Sequence, residues 1–340
     1  MNLNAFNHSA SLASGLLHVK KYPKIDMHVH YIPQEYRSII GKYEGKYPDG
    51  FATPSWSVED HLKFNKKMNI QTSLLSLSSP HFYFGDDEET RKVAHKVNTV
   101  GAEISKKYPE NFQLLGSLPL PNIKNSIAEI EYAIKELHVL GFTLPTNTKG
   151  HYLGQPELDP ILEKLNQYKS IVFLHPNEPG KVPDKVNEGL SVPAMEFLFD
   201  TTRTVINMTI HETFKRYPDI KFIIPHGGAF LSLLADRMDS FFKTVPVNGK
   251  KINVDIYATI KHLYYDVAGF PIPRQLEAML SLVDTDHLLY GSDYPYTPSI
   301  GCEGLAGQLS QTRLLSEREK KDIFYNNAYN LVLKSKSIEN

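Results

Sequence analysis

The sequence has very little cysteine, no long apolar run and almost no net charge. Among 340 residues there is a single cysteine, Cys302, which excludes a disulfide within the chain and a cluster of thiolate metal ligands. A reducing, cytoplasmic environment is therefore expected. No stretch approaches the roughly 18 unbroken apolar residues of a membrane helix, so no membrane-spanning segment is predicted.

The charge balance is equally informative about partners. With 37 basic and 38 acidic residues, the net charge is −1. Because the net charge is so small, the protein has no overall electrostatic field that would attract nucleic acid or an anionic membrane surface, and neither is expected as a partner. A charged ligand must instead be held by a local group, which favours a small molecule.

What is present is one pattern repeated along the chain: a short apolar run, a polar or Gly/Pro-rich loop, and a stretch with helical periodicity. The predicted strands cover 25–30, 70–77, 112–118, 141–144, 171–175, 220–226, 262–267 and 287–293. The predicted helices cover 57–67, 88–107, 123–138, 157–168, 192–216, 229–243, 273–283 and 315–333. Eight alternating strand and helix units predict an α/β fold, a (β/α)₈ TIM barrel closed by a parallel sheet, rather than an open doubly wound sheet.

No low-complexity linker or block of charge divides the chain, so one domain is predicted over 23–335. The preceding segment 1–22 is interpreted as a polar, disordered leader, and 336–340 as a tail. Two long excursions, 31–56 and 176–192, would be the first and fifth βα loops of the barrel. Loops of that length inside a compact fold are usually functional or mobile.

Residues that can bind a metal stand at the ends of four predicted strands. The first strand carries His28 and His30 on one side, with Cα atoms about 6.6 Å apart. His175, His226 and Asp293 end the fifth, sixth and eighth. A single histidine near a strand end is more often a core residue than a ligand. In a barrel, however, all these ends meet at one face, where imidazoles and a carboxylate would form a set suited to Zn²⁺, Mn²⁺ or Fe²⁺.

Several longer strings carry a resemblance to a known family. They are DMHVH at 26–30, FLHP at 173–176, HGGAF at 226–230, YYD at 264–266 and GSDYP at 291–295. On these strings the chain resembles the amidohydrolase superfamily. It is most similar to the branch of aminocarboxymuconate-semialdehyde decarboxylase and the γ-resorcylate, 6-methylsalicylate and 5-carboxyvanillate decarboxylases. The resemblance extends from about residue 24 to 333.

The resemblance implies roles for individual residues. One divalent metal ion would be held by His28, His30, His175 and Asp293. Zn²⁺ is the first choice for this ion and Mn²⁺ the second. His226 would be the acid/base histidine, and Asp293 would also carry a proton to carbon. Dinuclear relatives have a lysine at the end of the fourth strand, and GFTLPTN at 141–147 offers none, so a mononuclear site is expected.

The resemblance also implies how a carboxylate substrate is bound. Arg237 would reach the active site of a neighbouring subunit in a homodimer; the alternative is a surface arginine paired with Asp236 or Asp239. The semialdehyde decarboxylase's arginine in the first loop has no counterpart in 38–90, which favours a monocarboxylate held by Arg37 or Arg237.

Aromatic residues in the loops, with Trp56 and Phe84 foremost, could line the binding site of a planar ring or could simply pack against the rim of the barrel. The other members of this group are His81, Phe82, Tyr83, Tyr294 and Tyr296. Asp26 is the candidate that fixes the tautomer of a ligand histidine, unless it belongs to the barrel floor.

The expected function is metal-dependent, non-oxidative decarboxylation of a hydroxylated aromatic or related unsaturated carboxylate. The alternatives left open are a hydrolase of a lactone, amide or ester, a hydratase using the same residues, and a metal-binding barrel without catalysis. Release of CO₂ without addition of water would separate the first from the others.

Overall fold

The computed structural model describes residues 18–183, 185–249 and 251–333. The predicted tail and residues 1–17 of the predicted leader lie outside the described residues. Eight parallel strands form one sheet in the order of the chain. They are β1 (Lys24–His30), β2 (Ile70–Ser76), β3 (Phe112–Ser117), β4 (Gly141–Pro145), β5 (Ile171–His175), β6 (Lys221–Ile224), β7 (Tyr264–Asp266) and β8 (Leu288–Leu289). All eight predicted strands and the barrel class are confirmed.

The barrel closes between the last strand and the first. β8 is regular for only two residues, but the backbone after it continues to bond to β1. The N–H of Met27 donates to Tyr290 O at 2.9 Å, and that of His30 to Tyr294 O at 2.8 Å. The N–H of Asp293 donates to His28 O at 2.8 Å. This pairing places Asp293 directly beside the two histidines of β1.

An apolar cluster fills the space that the strands enclose below the site. It takes residues from six strands, including Met27, Leu74, Leu115, Phe173 and Ile223. Val19 and Tyr22, which precede the predicted boundary at residue 23, are also buried. The ammonium of Lys24 bonds to their carbonyl oxygens and so ties this segment to the barrel floor.

Twelve α-helices are present in the described residues. They are α1 (Gln34–Tyr43), α2 (Val58–Met68), α3 (Asp87–Lys107), α4 (Ile123–Lys135), α5 (Asp159–Gln167), α6 (Val192–Ile210), α7 (Thr213–Arg216), α8 (Leu231–Thr244), α9 (Ile256–His262), α10 (Arg274–Leu280), α11 (Ser299–Gln311) and α12 (Glu317–Lys321). Side-chain N-caps begin several of them, as at Ser57, Asp86 and Asn122. None of the described helices is long and apolar enough to cross a membrane.

Three helices were not predicted, and two predicted helices are divided. α11 contains three glycines and is buried over most of its surface, so it shows neither strong propensity nor an amphipathic period. α1 and α9 are short segments in stretches interpreted as loops. The predicted helix 192–216 is interrupted before Thr213 by Glu212, which has φ 52°. The predicted helix 315–333 becomes α12 followed by two π-helical turns.

His61 of α2 gives a prediction about stability. Its side chain is buried, and its Nδ1 accepts a hydrogen bond from Trp56 Nε1 at 3.0 Å. Burial, with the nearby His30, lowers the pKa of His61 to about 3. The unfolded chain, with a histidine pKa of about 6.5, takes up a proton as the pH falls below that value, whereas the folded chain does not. Wild-type stability contributed by a neutral His61 is therefore lost on acidification.

The stability advantage of wild type over His61→Leu should shrink by about 2 kcal/mol between about pH 6.5 and about pH 5. Urea unfolding of both metal-free proteins measures this difference. Above about pH 7 the difference should stay constant, because His61 is neutral in both states there. A difference that also stays constant down to about pH 5 would mean that His61 is protonated in the folded protein.

Candidate metal centre and active site

The two histidines of β1 meet the carboxylate that follows β8. His28 Nε2 lies 3.2 Å from His30 Nε2. Asp293 Oδ1 lies 3.5 Å from the former and 3.2 Å from the latter. Both imidazoles are fully buried, while the Asp293 side chain is 19% exposed toward the mouth of the barrel. Three potential ligand atoms thus converge on one small region.

His175 at the end of β5 joins the same region. Ligand nitrogens of His28, His30 and His175 lie within 4.8 Å of one another. The Nδ1 atom of His175 is 2.8 Å from Pro176 O, and its Nε2 atom is 3.4 Å from Ser78 Oγ. The backbone contact fixes the proton on Nδ1 and leaves Nε2 with a lone pair for a ligand.

The electrostatics keep three of these four groups in the forms that bind a cation, whereas Asp266 and Asp293 outweigh burial and raise the pKa of His28. Burial lowers the pKa values of His30 and His175, the latter well below its ordinary range, and neighbouring imidazoles lower them further. Burial would raise the pKa of Asp293, but the hydrogen bond from His30 and the nearby histidines lower it to about 2. At neutral pH, His30 and His175 are therefore neutral and Asp293 is ionised, which are the forms that coordinate metals.

His226 stands beside the cluster just after β6. Its ring centroid is 5.0 Å from that of His28, and one ring nitrogen lies within 4.8 Å of ligand atoms of His28 and Asp293. Burial, with repulsion from His28, lowers the pKa of His226 to about 4. Its Nδ1 has no hydrogen-bond partner among the described residues. The structure therefore holds a neutral imidazole with an unused nitrogen next to the metal-competent cluster.

Behind His28, on the side of its Nδ1 atom, stands a second carboxylate, Asp266 at the end of β7, which was not singled out in the sequence. Its Oδ2 lies 2.9 Å from His28 Nδ1, and its Oδ1 accepts the backbone N–H of His226 at 3.0 Å. Asp26, the predicted residue for this task, accepts instead from the backbone N–H groups of His28 and Ser292. The structure thus gives the contact with the ring to Asp266. The sequence feature that could have identified Asp266 is its position at the carboxyl end of a predicted strand, within the quoted YYD string.

A cavity of about 390 Å³ opens above the cluster. His175, His226 and Asp293 form its floor, and no lysine or arginine is present among the described residues that line it. Its other walls come from Phe51, Ser78, Ser191, Pro193, Ala194, Phe197, Leu198, Gly269, Phe270, Tyr296 and Thr297. Aromatic and small apolar side chains thus surround a polar floor, an arrangement suited to a flat ring bearing one charged group.

The predicted substrate residues within the first two loops do not line this cavity. Arg37 donates to Pro54 O and so holds the first loop together. Trp56 packs edge-on against Tyr31 and donates to His61. Phe84 stacks on Tyr43 with ring centroids 4.6 Å apart. Trp56 and Phe84 thus make the loop-packing contacts that were the alternative interpretation for the aromatic group, whereas Tyr296 of that group does line the cavity.

Arg237 lies on the exposed side of α8, away from its own cavity. Its guanidinium is 4.8 Å from the centre of the Phe241 ring. The alternative of an ion pair with Asp236 or Asp239 is not formed, because Asp236 accepts from Tyr257 and Asp239 pairs with Lys243. Within one chain Arg237 does not contribute to the site.

Comparison with known proteins agrees with the barrel fold. A family model described as amidohydrolase matches residues 25–332. The chain belongs to the amidohydrolase family.

Among curated relatives, the decarboxylase yanB of Aspergillus niger is 30% identical over 288 residues, covering 81% of this chain and 78% of the relative. The 6-methylsalicylic acid decarboxylase of Penicillium expansum is 28% identical over 279 residues, with coverage of 81% and 86%. The predicted resemblance to decarboxylases of this family is confirmed.

Two solved structures show the same fold. A crystal structure of an amidohydrolase II is 41% identical, with a TM-score of 0.87, and covers 91% of this chain and 99% of the other. A dihydroxybenzoic acid decarboxylase from Polaromonas is 20% identical, with a TM-score of 0.77 and coverage of 91% and 96%. That second structure contains manganese and the inhibitor 2-nitroresorcinol.

Proposed function

We propose that this protein is a metal-dependent, non-oxidative decarboxylase of a hydroxylated aromatic monocarboxylate. The observation that carries the proposal is the convergence of His28, His30, His175 and Asp293 beneath an aromatic cavity, with the unpartnered His226 beside them. The relatives named as decarboxylases support the reaction class, and those named for 6-methylsalicylic acid support the substrate class.

The donor set fits a single divalent metal ion. Three imidazole nitrogens and one carboxylate suit Zn²⁺ or Mn²⁺ and leave room for a substrate oxygen. The sequence favoured Zn²⁺, whereas manganese in the Polaromonas decarboxylase and in a 5-carboxyvanillate decarboxylase from Novosphingobium aromaticivorans supports Mn²⁺. When bound, the ion would act as a Lewis acid toward the carboxylate and a neighbouring hydroxyl of the substrate.

The residues of the chain would then guide the proton and the ring. In the reaction, the bond from the ring carbon to the carboxylate carbon breaks, CO₂ leaves, and a proton bonds to the ring carbon. Asp293 lines the cavity and would pass to the ring carbon a proton that it takes from the substrate's own carboxyl or hydroxyl group. His226, whose side chain lines the cavity, would orient the reacting group. Phe197 and Tyr296 would confine the ring.

The cavity also favours one carboxylate over two. A second carboxylate would be buried where this chain provides no lysine or arginine, and an unpaired buried charge is costly. A muconate-type diacid is therefore a poorer fit than a hydroxybenzoate.

A substrate panel of hydroxybenzoates and muconate-like acids tests the function. Metal-analysed protein should release CO₂ in equal amount to the consumed hydroxybenzoate, with no water added to the product. Chelation should stop turnover, and reconstitution with Mn²⁺ or Zn²⁺ should show which ion restores it. A product that contains an added water would replace the decarboxylase with a hydrolase or hydratase, and turnover that survives complete metal removal would end the proposed mechanism.

We further propose that the enzyme is a homodimer in which Arg237 reaches the partner subunit's substrate. α8 exposes a row of residues one helical turn apart, with Leu233 70% exposed, Arg237 next, and Phe241 42% exposed. Exposed apolar patches of this kind mark interaction surfaces. In this arrangement Arg237 would share the substrate's one carboxylate with the metal, so a second carboxylate would still be left without a cation.

Leu233→Asp should convert the dimer to a monomer in sedimentation analysis, because it places a charge in an apolar contact. Arg237→Ala should leave the dimer intact and raise KM about 10-fold, since one charge-assisted contact is lost. The matched control is Ile300→Asp on α11, where Ile300 is 58% exposed. A monomeric wild type, or an unchanged KM in Arg237→Ala, would contradict this assignment.

A further inference from the structure

The turn that carries His226 has an unusual backbone. Residues 226 to 229 all have positive φ, at 53°, 62°, 67° and 53°. Glycine adopts this region readily, but His226 and Ala229 have a Cβ that disfavours it. Such a turn persists only when its surroundings hold it in place.

One side chain contacts most of this turn. Gln275 on α10 directs its side-chain amide at the carbonyl oxygens of His226, Gly227 and Ala229, with Nε2 to O distances of 2.6, 3.2 and 3.1 Å. Three carbonyl acceptors require the donor end of the amide to face the turn. No water or ligand is needed for this contact, so it belongs to the protein itself.

Packing around the turn leaves little freedom to adopt another shape. A Cβ on Gly227 would lie 2.8 Å from the Gln275 amide, and a Cβ on Gly228 would lie 2.8 Å from the Tyr265 ring. On the other side, a Cβ on Gly269 would lie 2.8 Å from His226 Cδ2. The main chain of His226 is thus held at its carbonyl by Gln275 and at its N–H by Asp266.

We propose that Gln275 is a positioning residue for His226. By binding the carbonyls of the turn, the Gln275 amide keeps the backbone in the left-handed conformation that presents the imidazole, with its unpartnered Nδ1, beside the metal-competent cluster. The side chain acts only through His226, because it does not line the cavity. The inference rests on the proposed function for its effect on turnover, but its structural part does not.

Two substitutions separate hydrogen bonding from packing. Gln275→Met keeps a side chain of similar length and removes the N–H donors. Gln275→Glu keeps the shape of the side chain but places carboxylate oxygens, which can only accept, opposite the three carbonyl oxygens. Misplacing a catalytic group by 1 Å costs about 100-fold, so a partly relaxed turn should lower kcat by about 10-fold in both variants. KM should stay within about twofold and metal content should not change, because neither the cavity nor the four proposed ligands is altered.

Crystal structures of the two variants give a readout independent of turnover, in which Ala229 should leave the positive-φ region. The control is Gln71→Met, at an exposed glutamine of β2 whose side chain donates to Asn69 and has no other partner among the described residues. An unchanged turn, or kcat within twofold of wild type in Gln275→Met, would overturn the proposal. Loss of metal together with kcat would also overturn it, in favour of a general structural role. If wild type shows no decarboxylation at all, the proposed function fails and the crystal structures alone decide the role of Gln275.

Discussion

Replacing His226 by alanine is expected to lower kcat by about 10²- to 10⁴-fold, the range for loss of a general acid or base, while the bound metal remains. The four proposed ligands, His28, His30, His175 and Asp293, would complete the set without His226. Its imidazole instead has a buried nitrogen with no partner among the described residues, and burial keeps the ring neutral at physiological pH. Because the ring also lines the cavity, it is available to the substrate and not required by the fold.

The measurement is the steady-state rate of CO₂ release together with metal content from elemental analysis. His287→Ala is a suitable control, because His287 precedes β8 at the opposite end of the barrel, stacked on Tyr264. It should leave kcat within about threefold of wild type. An unchanged rate in His226→Ala at full metal content would remove His226 from the mechanism, whereas loss of metal would make it a ligand.

Replacing Asp266 by asparagine is expected to weaken metal binding by about 10- to 100-fold, as the loss of a carboxylate behind a ligand histidine typically does. Both oxygens of Asp266 act only as acceptors: Oδ2 toward His28 Nδ1, and Oδ1 from the N–H groups of His226 and Ala268. An asparagine has one oxygen. Its NH₂ group must face either the two N–H donors or His28 Nδ1, and the latter would move the ring proton to the nitrogen that faces the metal.

Competition with a metal-buffering chelator measures this affinity. Asp26→Asn is the matched control, because Asp26 accepts through Oδ1 alone and its Oδ2 has no partner among the described residues. Burial raises the pKa of Asp26 to about 7, so the neutral amide resembles a form that the carboxyl already adopts. We expect metal affinity within about threefold of wild type for this control. If Asp26→Asn weakened metal binding more than Asp266→Asn did, Asp26 and not Asp266 would be the residue that supports the ligand histidine.

The sequence predicted the position of a side chain correctly where the residue pattern of a single strand determines that position. His28 and His30 face the same side because side chains alternate along β1, and His175 ends a run of buried apolar residues. Strand ends of a parallel barrel share one face, so the cluster could be predicted from spacing and chain order. α11 was missed for the converse reason, since a glycine-rich helix buried on most sides has no periodic pattern to detect.

Local sequence alone therefore determined the class of fold, the strands and the group of residues that meet at the barrel mouth. Only the tertiary structure decided which carboxylate supports which ring. Asp26 is two residues from His28 and contacts its backbone, whereas Asp266, separated by 238 residues, contacts its imidazole. The same holds for Gln275 beneath the His226 turn, and for Arg37, Trp56 and Phe84, which pack within loops. Hydrogen bonds and ring contacts depend on distances of a few ångströms between segments remote in sequence, and no spacing along the chain encodes them.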